Sequence, residues 1–330
     1  MFIKFFPNTR LHWISLMTFC KAGFHANGLI VKTMAIVLPL SLALLPICMD
    51  AQTPAPPPAV AVAKSYGFTE AELQKIKSGD ILSKDLPEKS DKELAGVVAV
   101  FLPKTVTELA EILVEGQLLK SDRTIKALQV WKPEASAEKA FAGLAANAET
   151  QAKLKSRYEA YRKNGLKGAG VPGEQLALAI KAILPTDRWP GYSKALLNYP
   201  DNQLAGMEHR FFCYQQELEK LPTFILSHRA CVKSDHAALI TEQRYYVSQT
   251  YNCRFIACDC VELAGGTVMF YVNCLFTDQV AGIGSGLRHS IGRKRMLTDV
   301  AANLKNVREQ LQHNGSGEKP QSAPVDAKRL

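Results

Sequence analysis

The last third of the sequence most constrains the fold, because its pattern changes there from helical to strand-like. Residues 223–232, 237–250, 254–263 and 267–276 are rich in β-branched and aromatic residues and are separated by short polar or glycine turns. Short turns join antiparallel neighbours, so these segments predict a four-stranded meander. Both alternating faces of the last segment are largely apolar, which predicts that the sheet is covered on both sides.

A long helix is predicted directly after the meander, over residues 285–312. Apolar residues recur there at helical spacing and are predicted to be buried by the helix, including Leu287, Ile291, Leu297 and Leu304. The remaining residues, 313–330, are polar and are predicted to be a disordered tail.

The first ordered elements are predicted from two capping boxes and two apolar segments. Thr69 with Glu72, and Thr105 with Glu108, have the spacing in which a threonine caps a helix and a glutamate three residues later completes the cap. Between these helices, residues 80–86 and 93–102 predict two strands joined by a polar turn.

The middle of the chain predicts a helical insertion over about 135–221. Its predicted helices are separated by joints rich in glycine and proline, and they cover residues 136–163, 173–184, 191–198 and 201–220. The elements together predict one α+β domain over residues 65–312, preceded by an extended Pro/Ala linker at 52–64.

An export signal is predicted before this linker. Residues 35–47 form an uncharged apolar run preceded by Lys32, which is the length of a signal-peptide core and short for a membrane span. Residues 1–51 are therefore predicted to be an N-terminal extension and signal peptide, with cleavage after Ala51. Met34 is a natural start, and we favour it over an extended n-region. We expect the protein to be exported to the periplasm or secreted by a bacterium, rather than held by an uncleaved anchor.

Charge and composition limit the classes of partner. Apolar residues make up 47% and charged residues 22% of the chain, as in an ordinary soluble globular protein. Removal of residues 1–51 lowers the formal charge from +9 to +6. This modest excess suits an acidic envelope surface, so peripheral contact with a membrane is expected, whereas export argues against a nucleic-acid partner.

The cysteines of the exported part are predicted to form disulfides. Six lie between residues 213 and 274, an even number that allows 15 full pairings. The candidates are Cys213, Cys231, Cys253, Cys258, Cys260 and Cys274. On a strand, Cys258 and Cys260 face the same side and so pair with different partners. A zinc site drawn from Cys253, Cys258, Cys260 and His228 matches no compact zinc spacing, so no metal and no cofactor is predicted.

Recognisable catalytic signatures are lacking in the sequence. It has no G-x-S-x-G elbow, P-loop, dinucleotide fingerprint or H-E-x-x-H, and the glycines at 282–286 favour a flexible loop over a phosphate cradle. The basic cluster that follows includes Arg288 and Arg295, which share one helical face. It favours either a solvated surface or a site for an anionic group.

Polar and aromatic residues on two strands are the better candidates for a ligand pocket. Alternation places Gln243, Tyr245 and Tyr251 on one face of their strand, and Tyr271 and Asn273 on one face of the last strand. Tyrosine combines an apolar body with a hydrogen-bonding tip, as small-molecule pockets require. Glu242 and Arg244 are predicted to be a surface pair.

Several segments resemble those of an uncharacterised family of exported proteobacterial proteins. They are Gly79-Asp-Ile-Leu-Ser-Lys-Asp-Leu86 with 92–102, Thr241-Glu-Gln-Arg-Tyr-Tyr246, and Phe270-Tyr-Val-Asn273 with 284–295. The likeness spans about 79–130 and 221–312, and the order of elements resembles the helix-grip fold of START-like (SRPBCC) domains. This resemblance implies a curved antiparallel sheet that grips the long C-terminal helix around a cavity.

The resemblance implies a binding protein for an apolar or amphipathic small molecule, such as a lipid. The predicted ligand-binding residues are Gln243, Tyr245, Tyr251, Tyr271, Asn273, Arg288 and Arg295. Two alternatives stay open. One is a cell-envelope structural or interaction protein that uses the insertion as its partner surface. The other is a START-like cyclase or hydrolase, although no catalytic residue is identified and the balance is against an enzyme.

Overall fold

A computed structural model describes residues 59–313, apart from 121, 186 and 219. The helices of this part are α1 (Ala59–Ser65), α2 (Glu70–Lys77), α3 (Val106–Val114), α4 (Gln117–Lys120), α5 (Ala137–Ala140), α6 (Ala148–Asn164), α7 (Leu166–Ala169), α8 (Val171–Ile183), α9 (Tyr192–Leu197) and α10 (Ser285–His313). The strands are β1 (Leu82–Asp85), β2 (Glu93–Leu102), β3 (Ile125–Trp131), β4 (Glu208–Leu218), β5 (Leu221–Lys233), β6 (Ala237–Val247), β7 (Cys253–Leu263) and β8 (Gly266–Phe276). The predicted signal peptide and the C-terminal tail from residue 314 lie outside the described residues.

All eight strands form one curved antiparallel sheet in the order β1-β2-β8-β7-β6-β5-β4-β3. The predicted meander is its centre, because β5 to β8 pair in chain order. Strand β2 pairs along its whole length with β8. The first two strands in the chain, β1 and β2, therefore extend the sheet next to β8, the last strand in the chain. The predicted α+β class, with a sheet that holds a long C-terminal helix, is confirmed.

Helices cover both faces of the sheet, as the two apolar faces of β8 predicted. Helices α3 and α10 pack on one face, which we call the α10 face and which includes Val98, Ile240 and Met269. Helices α1, α2 and α6 to α9 pack on the other, the insertion face, which includes Phe255 and Phe270. The domain therefore has two apolar cores separated by the sheet.

Helix α10 lies very close to β2 because β2 contains a glycine at the contact. A Cβ atom at Gly96 would come within 2.6 Å of a methyl group of Leu297. Leu297, Val300 and Leu304 all project from α10 into this core and are buried, whereas Leu287 and Ile291 are exposed, so the prediction that the helix buries them is wrong. The spacing of these apolar residues thus positions the helix against the edge of the sheet, at β1 and β2.

Both predicted capping boxes are present. The hydroxyl groups of Thr69 and Thr105 accept hydrogen bonds from the backbone of Glu72 and Glu108, and each glutamate carboxylate returns a contact to its threonine backbone N–H. These caps satisfy N–H groups that a helix leaves free at its start, so α2 and α3 begin where the sequence predicts.

The predicted helix over 201–220 is wrong, because residues 208–218 form β4. Phe211 and Cys213 face the insertion core while Phe212 and Tyr214 face the opposite side, so both faces of the strand are apolar and the alternation is hidden. The insertion therefore contributes one strand, β4, to the sheet as well as helices. Strand β3, which precedes the insertion, was not predicted either.

Two other boundaries differ from the prediction. Residues 59–64, which fell in the predicted extended linker, belong to α1, whose Val62 and Ala63 are buried against the insertion core. The single helix predicted over 136–163 is divided into α5 and α6 by residues 141–147. In the described part of the chain, no helix is long and apolar enough to cross a membrane.

Candidate functional site

A pocket of about 700 Å³ lies on the α10 face, between the sheet and the C-terminal half of α10. The strands β5 to β8 form its floor, and α10 forms its roof through residues such as Leu304 and Val307. The end of α3 and helix α4 form a side wall that includes Leu113 and Leu119. The volume is within the usual range for a small-molecule site, and a substantial part of the lining is apolar.

Charged residues cross the floor of this pocket from one strand to the next. The register of β5 and β6 places Arg229 beside Glu242, and Arg244 follows Glu242 on the same side of β6. The Glu242 carboxylate accepts hydrogen bonds from both guanidiniums, including one of 2.9 Å from Nε of Arg244. The Tyr214 hydroxyl donates to it at 3.2 Å. All three charged side chains are buried, with relative exposures of 6–9%.

Each guanidinium of this pair also rests on an aromatic ring of β4. The Arg229 guanidinium lies 4.4 Å from the ring centre of Phe212, and that of Arg244 lies 5.5 Å from the centre of Tyr214. Arg229 donates in addition to the carbonyl of Leu113, at the end of α3. Packing and hydrogen bonds thus hold both cations in place, in a geometry that favours arginine over lysine.

A third guanidinium, that of Arg254 on β7, completes the floor. Its Nε donates to the side-chain oxygen of Asn273 on β8 at 2.6 Å, and it forms no ion pair with a carboxylate of the described residues. The floor therefore carries three positive charges and one negative charge. Two positive charges are in excess on the floor, and one in the whole lining when Arg123, Asp122 and Glu309 of the walls are counted. A low dielectric in this partly apolar cavity strengthens their attraction for an anion.

The protonation states of this floor follow from its contacts. Burial alone opposes ionisation of Glu242, but the Arg229 and Arg244 guanidiniums outweigh it and hold the pKa of that carboxyl well below its usual range. Burial raises the pKa of the Cys258 thiol, which also lines the pocket, to about 12. Near neutral pH, Glu242 is thus a poor base and Cys258 a poor nucleophile.

Three of the predicted ligand residues belong to this pocket or support it. Tyr271 lines it directly, and Asn273 orients Arg254. The hydroxyl of Tyr251 accepts a 3.2 Å hydrogen bond from the Arg244 guanidinium, so Tyr251 supports the floor from the loop after β6.

Gln243 and Tyr245, by contrast, lie on the insertion face, and the prediction that they share one pocket with Tyr271 is wrong. A bulge pairs Leu226 with Tyr246 but Ser227 with Arg244, which leaves Tyr245 without an opposite residue. The alternation of β6 therefore holds through Tyr245 and breaks after it, so Gln243 and Tyr245 share the insertion face while Tyr251 lies on the other side. The ring of Tyr245 stacks on Tyr161 of α6, with ring centres 3.8 Å apart.

Gln243 belongs to a buried polar chain on the insertion face. The Tyr161 hydroxyl donates to the Gln243 side-chain oxygen at 2.7 Å and contacts Nδ1 of His228 at 3.0 Å. Nε2 of His228 in turn lies 2.9 Å from Nδ1 of His209. Burial, and then the neighbouring His209, lower the pKa of His228 well below its usual value, so this imidazole is neutral in the fold.

Arg288 and Arg295 lie outside the pocket, on the exposed side of α10 near its start, so the structure does not bring them together with Tyr271 and Asn273. Arg288 donates to the carbonyl of Ile283 at 2.8 Å and to that of Ala281, so it closes the glycine-containing loop before the helix. Two other members of the basic cluster, His289 and Arg293, face Glu88 in the turn between β1 and β2.

The six candidate disulfide cysteines are free thiols, so that prediction is wrong, and the support it gave to export is lost. The sheet separates them into two sets of three. Cys213, Cys253 and Cys274 are buried in the insertion core, and Cys231, Cys258 and Cys260 are buried in the α10 core. The sheet also divides the zinc ligands considered in the sequence: Cys253 and His228 lie on the insertion face, and Cys258 and Cys260 lie on the α10 face. Among the described residues, no three side chains of His, Cys, Asp or Glu converge on a metal site.

The arginines of the floor are the main residues that the sequence reasoning missed. Glu242 and Arg244 were predicted to be a surface pair, and Arg229 and Arg254 were not singled out. The sequence did contain a sign of them, because each of the three strands β5, β6 and β7 has an arginine or glutamate within a segment whose other residues predict burial. Comparison with family models, with curated proteins and with solved structures gives no match.

Proposed function

We propose that this protein binds an amphipathic small molecule with an anionic head group in the pocket beneath α10. The observation that carries the proposal is the floor of three guanidiniums with one carboxylate: Arg229 and Arg244 are buried and share Glu242, and the half-buried Arg254 has no ion pair with a described residue. Buried charges need partners, and Glu242 supplies only one negative charge for Arg229 and Arg244. A carboxylate or phosphate group bound on the floor supplies the negative charge that Arg254 lacks among the described residues.

The rest of the pocket suits the apolar part of such a molecule. Ile256 and Met269 on the sheet, Leu113 and Leu119 on the side wall, and Leu304 on α10 line the space beside the arginines. Transfer of a hydrocarbon chain into such a lining contributes about 0.8 kcal/mol for each buried CH₂ group. An amphipathic molecule can therefore place its anionic head group against the arginines of the floor and its hydrocarbon chain against the apolar walls.

The likeness to START-like domains agrees with this reading, because such domains hold ligands between a sheet and a C-terminal helix. The cyclase or hydrolase alternative receives less support, since neither Glu242 nor Cys258 is poised for acid–base or nucleophilic work. An interaction protein that uses the insertion receives little support, because its exposed apolar side chains, such as Val171 and Leu178, are few, and single exposed apolar residues occur on most surfaces. Export to the periplasm stays part of the proposal, on the basis of residues 34–51.

Two ligands with the same chain and different head groups test the proposal. We expect the purified full chain to bind laurate and dodecyl phosphate clearly more tightly than dodecanol in isothermal titration calorimetry, because only the anions interact with Arg254. The change Arg254→Gln removes a charge-assisted hydrogen bond worth about 1.5–3 kcal/mol and should weaken laurate binding about tenfold to a hundredfold.

Arg162→Gln is the matched control, because Arg162 lies on α6, away from the pocket, and is paired with Glu159. This variant should bind laurate as the unchanged protein does. Equal affinity for laurate and dodecanol, or an unchanged laurate affinity of Arg254→Gln, refutes an anion site on the floor.

A further inference from the structure

The first three turns of α10 carry a second apolar stripe, on the side that faces away from the sheet. Leu287 is 70% exposed and Ile291 is 59% exposed, and Ile283, in the loop before the helix, is fully exposed. Leu287, Ile291 and Lys294 follow the spacing i, i+4, i+7, so their side chains share one face of the helix. Met296, Leu297 and Val300 are buried on the opposite face. We call the residues Ile283, Leu287, Ile291, Lys294 and Arg295 the outer stripe.

Positive charge surrounds the apolar part of this stripe. Lys294 and Arg295 are exposed and form no ion pair with a carboxylate of the described residues, and Arg288 adds a third charge whose guanidinium contacts only backbone carbonyls. Asp299 is the single acidic residue of the sequence between 285 and 305. Arg293, in the same part of α10, is neutralised by ion pairs with Asp85 and Glu88.

Exposed aliphatic residues at helical spacing with lysine and arginine beside them form an amphipathic surface. Such a surface lies in the interface of a bilayer, with its apolar side chains at the level of the acyl chains and its cations among anionic head groups. A second copy of this chain is a poor occupant, because two outer stripes face to face would bring Lys294 and Arg295 of one copy against the same cations of the other.

We propose that the outer stripe docks the protein on an anionic lipid surface. This inference does not depend on the ligand pocket, which lies under the other half of α10, at residues 300–310. The apolar side chains supply burial in the interface, and the cations select an anionic surface over a neutral one.

Vesicle flotation of the full chain tests the proposal, with vesicles of phosphatidylcholine alone and of phosphatidylcholine with phosphatidylglycerol. We expect binding to the anionic vesicles that weakens as salt is added, because salt screens exposed charges. The double change Lys294→Gln with Arg295→Gln should weaken this binding roughly tenfold or more. The double change Leu287→Ser with Ile291→Ser should weaken it as well.

Two controls match these variants in chemistry. Lys75→Gln with Lys77→Gln removes two exposed cations from α2, and Leu178→Ser removes an exposed apolar side chain from α8. All variants share residues 1–58, so a difference between them reports on the outer stripe. Both controls should bind the anionic vesicles as the unchanged chain does.

Three results overturn the proposal. One is equal binding of the unchanged chain to neutral and anionic vesicles. Another is equal binding of the stripe variants and their controls. The third is a dimer, measured by light scattering, that dissociates in the Leu287→Ser, Ile291→Ser variant, because the stripe would then be an interface between copies of this chain.

Discussion

Glu242 is the carboxylate that holds Arg229 and Arg244 together on the floor of the pocket. The change Glu242→Gln tests how much this negative charge stabilises the fold. The carboxylate accepts hydrogen bonds from two guanidiniums, and each such charge-assisted bond contributes about 1.5–3 kcal/mol. Glutamine keeps one acceptor oxygen and points an N–H₂ group at a cation. Removing one partner of a buried ion pair usually costs about 3–5 kcal/mol. Because Glu242 borders a pocket rather than a closed core, we expect the lower end of this range, about 3 kcal/mol.

Urea unfolding of both proteins, followed by far-ultraviolet circular dichroism, measures this loss. Glu309→Gln is the control, because Glu309 lines the same pocket from α10 but is exposed. Exposed substitutions usually change the free energy of unfolding by less than about 0.5 kcal/mol. A loss below about 1 kcal/mol for Glu242→Gln, or an equal loss for Glu309→Gln, would show that the carboxylate does not hold the two arginines together.

The same variant should change ligand binding in the opposite direction. Without the Glu242 carboxylate, the floor carries three positive charges and no negative one, so we expect tighter binding of laurate and little change for dodecanol. Laurate should therefore raise the midpoint of unfolding of Glu242→Gln more than that of the unchanged protein, because a ligand of the native state stabilises it in proportion to its affinity. Weaker laurate binding by this variant would contradict the anion site.

Two further predictions concern the cores. Burial raises the pKa of Cys213 and Cys231 to about 12, so we expect the six thiols of the domain to react with Ellman's reagent only after unfolding in urea; an intact mass that changes on reduction would instead reveal disulfides. Burial, and then the nearby His209, lower the pKa of His228, so below about pH 6.5 the unfolded chain takes up a proton that the native imidazole does not. The free energy of unfolding should then fall with decreasing pH by up to about 1.4 kcal/mol per pH unit from this group, and equal pH dependence of the His228→Gln variant would refute this assignment.

The sequence predicts those parts of the fold whose signals are local. The capping boxes at Thr69 and Thr105 each lie within four residues, and the meander from β5 to β8 follows from alternation and short turns. The fold class follows from these elements and the apolar spacing of α10. Strand β4 could not be predicted in this way, because contacts with β3 and β5 make it a strand, and both partners lie elsewhere in the chain.

The candidate site was harder to predict because it depends on register. Arg229 and Glu242 become neighbours only when β5 and β6 pair as they do, and Arg254 joins them from a third strand. The register pairs Gln243 with Phe255 and Phe255 with Cys274, which puts Gln243 and, by alternation, Tyr245 on the insertion face. A bulge after Tyr245, which no glycine marks in the sequence, then separates them from Tyr251. Tyr271 and Asn273 share one face of β8, as predicted, because β8 keeps its alternation from end to end.

The pairing of β2 with β8 also governs how the chain reaches its native state during synthesis. Leu102 at the end of β2 pairs with Thr267 at the start of β8, so β2 is made long before its partner leaves the ribosome. Contacts between residues so distant in sequence form slowly. Until then β2, with the sequence ELAGVVAVFL, is an apolar strand with one edge unpaired, a state that favours aggregation. A nascent chain that ends before residue 267 therefore needs a chaperone more than the finished one does.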